Sequence, residues 1–179
     1  MQARILRNCN KPAIQRSPGA EPEVPSFSKV HPVPYSAGQM FDLVADVEKY
    51  PQFLPLCESL NILSRREKGG RVLLVADMGV GYKAIREHFT SQVLLNRDDL
   101  VIDVKYLDGP FKRLDNRWQF EARGPAACDV HFDIDYEFSS RVLGALMGAM
   151  FDRAFRHFTN AFEERARAVY GDPPGQTGI

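Results

Sequence analysis

Residues 130–169, VHFDIDYEFSSRVLGALMGAMFDRAFRHFTNAFEERARAV, change their apolar period from two to about 3.6 within a few residues. Up to Phe138, the residues Val130, Phe132, Ile134, Tyr136 and Phe138 alternate with His131, Asp133, Asp135 and Glu137, so one face of a strand is apolar and the other wet. Ser139 or Ser140 then starts a helix. Leu143, Leu146, Met147, Met150, Phe155, Phe158, Phe162 and Ala166 share one stripe of it, while Asp152, Arg153, Arg156, Glu163, Glu164 and Arg167 face elsewhere. The spacing predicts one helix to about Val169, roughly 45 Å long at ~1.5 Å per residue. Such a stripe must bury against an apolar sheet face.

Upstream of this stretch the period stays at two. Leu114, Asn116, Trp118 and Phe120 share a face, and Leu60 with Ile62, Val72 to Ala76, Tyr82 to Val93 and Val101 to Tyr106 are strand-like. Turn signals separate them at Lys68-Gly69-Gly70, Gly79 to Gly81, Asn96 to Asp99 and Asp108-Gly109-Pro110. Connections this short predict antiparallel hairpins. Ser26 to Val33 has the pattern of an edge strand ending at Pro34. Ser36 is placed to cap a helix carrying Met40, Phe41, Val44 and Val47, which Tyr50-Pro51 is expected to break before a second short turn, Gln52 to Leu56. The predicted class is therefore α+β: a curved antiparallel sheet of about seven strands around a long C-terminal helix, with two short helices after the first strand.

The domain is expected over residues 26–170, with disordered tails at 1–25 and 171–179. Residues 1–20 hold Arg4, Arg7, Lys11 and Arg16 and no acid, and Pro12, Pro18, Pro22 and Pro25 oppose a long helix. A plain tail, a mitochondrial presequence and a misplaced start all fit that composition.

Across the chain, 23 basic residues balance 23 acidic ones, so no global field draws it to nucleic acid or an anionic membrane, and DNA is not an expected partner. Cys9, Cys57 and Cys128 are odd in number and far apart, which argues against a disulfide framework or a zinc site. No apolar run reaches the ~20 residues that span a bilayer, and a protein in a reducing compartment is expected. The histidines, His31, His88, His131 and His157, lack paired metal spacing, and no nucleophile motif, phosphate loop or dinucleotide fingerprint is present. Asp77, Glu87, Asp103 and Asp133 are candidates for a carboxylate pair by type, but alternation turns most of them outward. Lys112, Arg113, Arg117 and Arg123 suggest a phosphate-binding patch, yet Asp108, Asp115 and Glu121 are interleaved with them.

The element order resembles the helix-grip fold of START-related lipid-transfer domains and polyketide cyclases. The run Asp46-Val47-Glu48-Lys49-Tyr50-Pro51-Gln52-Phe53-Leu54-Pro55-Leu56-Cys57, the stretch Leu107 to Leu114 followed by Trp118-Gln119-Phe120, and the aromatic closing helix are similar to the coenzyme Q-binding protein family, some bacterial members of which are named ribosome-association toxins. The resemblance spans about residues 26–170. It implies non-catalytic binding of ubiquinone or another isoprenoid lipid as a ligand, with no other cofactor, and transient contact with a membrane surface. It places the protein in the cytoplasm at the periphery of the inner membrane or, alternatively, on the matrix side of the mitochondrial inner membrane. The alternatives it carries are a ribosome-association inhibitor of the large ribosomal subunit and a polyketide cyclase or aromatase.

On this reading Phe53, Leu54 and Pro55 lie near the pocket mouth, and Trp118, Phe120, Met147, Met150, Phe151 and Phe155 form walls. The residues themselves add one argument. Gly144, Ala145, Gly148 and Ala149 thin the first half of the helix, although glycine there costs up to ~1 kcal/mol against alanine, and flexible methionines suit a wall that meets a varied apolar chain.

Overall fold

The computed structural model describes residues 26–82 and 84–173; in the last helix the side chains of residue 143 and residues 146–156 lie outside the described set, as do the tail expected at 1–25 and most of that at 171–179. The chain runs β1 (Ser26–Val33), α1 (Ala37–Ala45), a 3-10 helix (Val47–Gln52), β2 (Cys57–Lys68), β3 (Arg71–Tyr82), β4 (Ile85–Asn96), β5 (Val101–Asp108), β6 (Phe111–Gly124), β7 (Ala127–Phe138) and α2 (Arg141–Tyr170). All seven strands form one antiparallel sheet in the order β1-β7-β6-β5-β4-β3-β2. Five successive hairpins build β2 to β7, and β1 returns to pair with β7. The expected α+β helix-grip architecture is the one observed.

The two short helices differ from expectation in where the break falls. Ser36 caps α1 as read: its hydroxyl accepts from the Gln39 amide at 3.2 Å and its own amide donates to Gln39 Oε1 at 3.0 Å, a reciprocal capping box. The helix then stops at Asp46, and Tyr50-Pro51 lies inside the 3-10 helix instead of preceding a separate turn. The cause lies six residues back. Buried Tyr50 turns back and donates its hydroxyl proton to the Val44 carbonyl at 2.6 Å, satisfying an acceptor that the end of α1 leaves open.

Gly79 to Gly81 also forms no turn. Both glycines lie within β3, paired with His88 and Arg86, and the strand continues to Tyr82. A side chain at Gly79 would collide with Ser59 and His88, and one at Gly81 with Glu58, so the glycines clear the outer face for neighbours on β2 and β4.

Helix α2 is fastened at its far end. Tyr35 donates to the Gly171 carbonyl and Tyr170 to the Gln39 carbonyl, each at 3.0 Å, and Gly171 closes the helix with φ at 84° and its amide on the Arg167 carbonyl at 2.9 Å. Ala161, Phe162 and Ala166 are buried, the last completely. Two clusters of buried apolar side chains result. The larger joins α1, the 3-10 helix and the end of α2 to the sheet; the smaller gathers Phe111, Leu114 and Ile134 with aromatic neighbours such as Phe89 and Phe138.

Between β5 and β6, Gly109 has φ at 136°, and a Cβ there would lie 2.7 Å from the His88 carbonyl oxygen and from Phe89 Cβ. Neither neighbour is the end of a flexible side chain. Gly109→Ala is therefore expected to lower stability by about 2 kcal/mol or more, read as a lower urea midpoint at unchanged slope.

Candidate functional site: an apolar cavity under the last helix

A half-open cavity of about 280 Å³ separates the two clusters and is lined by members of both. Its floor is the concave sheet face, where period-two alternation turns Ala76, Val93, Val104, Trp118, Val130 and Phe132 inward. Met40 and Val44 of α1 and Tyr50 of the 3-10 helix close one side, the Leu54-Pro55-Leu56 turn forms part of the rim, and Phe158, Thr159 and Phe162 descend from α2. Leu56 holds a left-handed φ of 69°, and its carbonyl accepts from the Gly81 amide at 2.9 Å, so the turn is pinned to β3.

Of the residues read as pocket-forming, Leu54, Pro55 and Trp118 line this space. Phe53 lies behind the wall: its ring meets Tyr50 at 5.8 Å and Phe162 at 5.3 Å edge-on, with the Arg165 guanidinium 5.5 Å from its centre. Phe120 is 3% exposed and packs against Phe41 at 5.9 Å, in the closed part of the core. Met147, Met150, Phe151 and Phe155 fall on the first half of α2, where side chains are outside the described residues.

The lining is apolar with few polar groups, and most of those are engaged. The Trp118 indole N–H donates to Asn116 Oδ1 at 2.8 Å, and the Asn116 amide donates to the Asp133 carbonyl at 2.9 Å. His31 of β1 pairs with Glu163 of α2, both lining the cavity, and ties the edge strand to the helix. Tyr50 is held well above the usual phenol range, chiefly by burial, with Cys57 and Asp46 adding to the rise. Burial also pushes the Cys57 thiol up to about 11. Lys29 and Glu87 line the cavity as well, as does Ser91, a residue 5% exposed.

Sequence reading did not assign Ser91, Glu87 or Cys57 to the cavity, and it named Glu87 only as a carboxylate candidate by type. The signal for the first two was their phase: both stand on the apolar side of β4, in register with Phe89 and Val93. Glu87 is thus the exception to the outward alternation expected of most of the four carboxylates. The others follow it: Asp77 lies 3.3 Å from His88, Asp103 2.7 Å from Arg117, and Asp133 is exposed. No group of three possible metal ligands occurs among the described residues. The basic patch is largely neutralised, since Lys112 pairs with Glu137 at 2.6 Å, Arg117 with Asp103, and Arg123 with Asp129. No described helix is long and apolar enough to cross a membrane.

A cavity between a curled sheet and a long C-terminal helix invites comparison with lipid-handling folds. The model of the family described as "Polyketide cyclase / dehydrase and lipid transport" matches residues 33–163. The chain belongs to this family. It is 35% identical over 147 residues to the ribosome association toxin RatA of Escherichia coli strain K12, an alignment covering 82% of this chain and 90% of that protein. It is 28% identical over 148 residues to the mitochondrial coenzyme Q-binding protein COQ10 homolog B of Xenopus laevis, covering 81% of this chain and 59% of that protein. The solution structure of an 18 kDa protein of Caulobacter crescentus superposes with a TM-score of 0.70 at 36% identity, covering 82% of this chain and 99% of that one. Resemblance to both the toxin-named and the coenzyme Q-binding relatives was the expectation from sequence.

The two described cysteines supply a test of how closed these surroundings are. Burial raises both Cys57 and Cys128 to about 11. A raised thiol pKa leaves less thiolate at a given pH, so alkylation at pH 8 should run about a hundredfold slower than at an ordinary thiol. The rate should climb roughly tenfold per pH unit until about 11. Peptide mapping after iodoacetamide treatment is expected to find both sites unmodified in folded protein and modified after denaturation.

Proposed function

We propose that the protein is a non-catalytic carrier or chaperone for ubiquinone or a closely related isoprenoid lipid, in support of respiratory electron transport. The observation that carries this reading is the cavity: half-open, walled almost wholly by apolar side chains, with the indole N–H and the buried phenol already satisfied within the protein. A quinone with a polyprenyl tail is nearly insoluble in water, and burial of apolar area at ~25 cal/mol per Å² drives its capture. At about 280 Å³ the space is close to the lower end of the ~300–1,000 Å³ typical of small-molecule sites. It suits a ring and the first part of a tail, the remainder leaving through the open side. The four carboxylates do not converge, which supports binding without turnover. Exchange with a membrane fits a protein at the inner membrane periphery, in the cytoplasm or on the matrix side in a mitochondrion.

Trp118 is the sole tryptophan of the chain and lines the cavity, so it reports occupancy directly. Titration with a short-tailed ubiquinone analogue is expected to quench its emission saturably at one ligand per protein, and lipid extracts of purified protein to contain quinone by mass spectrometry. Absence of both signals, with a known quinone carrier positive under the same treatment, rejects the reading.

The names of the toxin relatives favour a second reading, association with the large ribosomal subunit. Against it stand the balanced charge and the pairing of Lys112, Arg117 and Arg123 with carboxylates. In a sucrose gradient a ribosome binder co-sediments with the large subunit and is released by salt, because contacts to RNA phosphate release counterions. The carrier reading expects the protein to stay at the top at every salt concentration.

A further inference from the structure

Resting on the carrier reading, we infer that Ser91 is the polar anchor of the cavity, its hydroxyl donating to an uncharged oxygen at the head of the bound lipid. Ser91 is 5% exposed and faces the cavity from β4. No hydrogen bond from its hydroxyl to the protein occurs among the described residues, and because every fully buried side-chain polar atom there has a partner, this hydroxyl opens onto the cavity. Three other polar groups of the lining are engaged within the protein: the buried Tyr50 with the Val44 carbonyl, and the half-buried Trp118 and Asn116 with one another and the Asp133 carbonyl. Lys29 is exposed and Glu87 half-buried.

The surroundings of Ser91 explain why a ligand, and not water, suits it. Ala76 stands directly opposite on β3, and Phe89 and Val93 flank it on the same face of β4. A buried water needs two to four polar partners, and this one hydroxyl stands among apolar neighbours. Ala76 and Ser91 are also the small residues of adjacent strands, so they leave a dent in the sheet floor. On the other side of β4 the pairing with β5 shifts by one residue between Thr90 and Ser91, a bulge that sets the aim of the local side chains.

A carbonyl or ether oxygen on a flat ring meets these conditions. It accepts one hydrogen bond and presents apolar faces to the remaining walls. A phosphate or carboxylate head does not, because one hydroxyl cannot replace the hydration of a charge. The lipid therefore enters head first, with its tail toward the opening. Ser91 acts as a specificity-determining residue, selecting neutral oxygenated heads over plain hydrocarbon.

The test uses full-length protein and two probes of equal tail length, decylubiquinone and decylbenzene, with dissociation constants measured by displacement of a fluorescent lipid. Ser91→Ala is expected to weaken decylubiquinone about fivefold, as loss of one neutral hydrogen bond does, and to leave decylbenzene unchanged. Ser91→Thr, which keeps the hydroxyl, should retain most of the quinone affinity. If wild type captures both probes and Ser91→Ala changes neither, or weakens both equally, the anchor is wrong and the carrier reading stands. If wild type captures neither, the carrier reading falls and the anchor with it.

Discussion

One helix must cover a sheet far wider than itself. Seven strands about 4.8 Å apart span roughly 29 Å, whereas a helix with its side chains is about 10–12 Å across. The inward residues of the strands are mostly apolar, so the uncovered remainder is poorly suited to face water. The sheet meets this by curling, and α1, the 3-10 helix and the Leu54-Pro55-Leu56 turn fill part of the gap at one end. What they leave unfilled is the cavity. It is thus a consequence of geometry before it is a site, and function depends on which side chains border the leftover volume.

The filling is uneven. Toward the end of α2, the rings of Tyr50, Phe53, Trp118 and Phe162 meet in a chain of edge-on contacts, and two tyrosine hydroxyls hold the helix terminus to α1 and to the loop before it. Each such hydroxyl bond contributes about 1 kcal/mol, and their value lies in position as much as in energy. They fix one end of the helix relative to the sheet without crossing the cavity. The contact between His31 and Glu163 adds a tie from the edge strand to the same half of α2.

Most of this frame was legible because alternation is a local property. Val130 to Phe138 announces its buried face from its own sequence, and Ser36 with Gln39 announces a cap. The misreadings came where a residue serves a neighbour outside its own element. Gly79 and Gly81 have turn chemistry, but they are glycines because side chains of β2 and β4 occupy the space a Cβ would need. Tyr50-Pro51 has the form of a helix break, but the tyrosine belongs to the end of α1. The candidate site was legible to the same degree: Trp118 could be assigned to the inner face, while whether an inner residue meets a void or another side chain, as Phe120 meets Phe41, depends on elements far along the chain. Ser91 went unread for the same reason, since a hydroxyl in apolar phase gains meaning only when the space before it is known.

Among the described residues α2 and not an eighth strand closes the structure, so the sheet has two edge strands, β1 and β2. An unpaired edge is a template for another copy of the same chain. β2 meets this hazard with Arg65, Arg66, Glu67 and Lys68 along its outer half and two breaks in its register with β3, and β1 with Lys29 and Pro32. These charges and irregularities discourage strand-to-strand growth between molecules. They let the sheet stay open without inviting fibres.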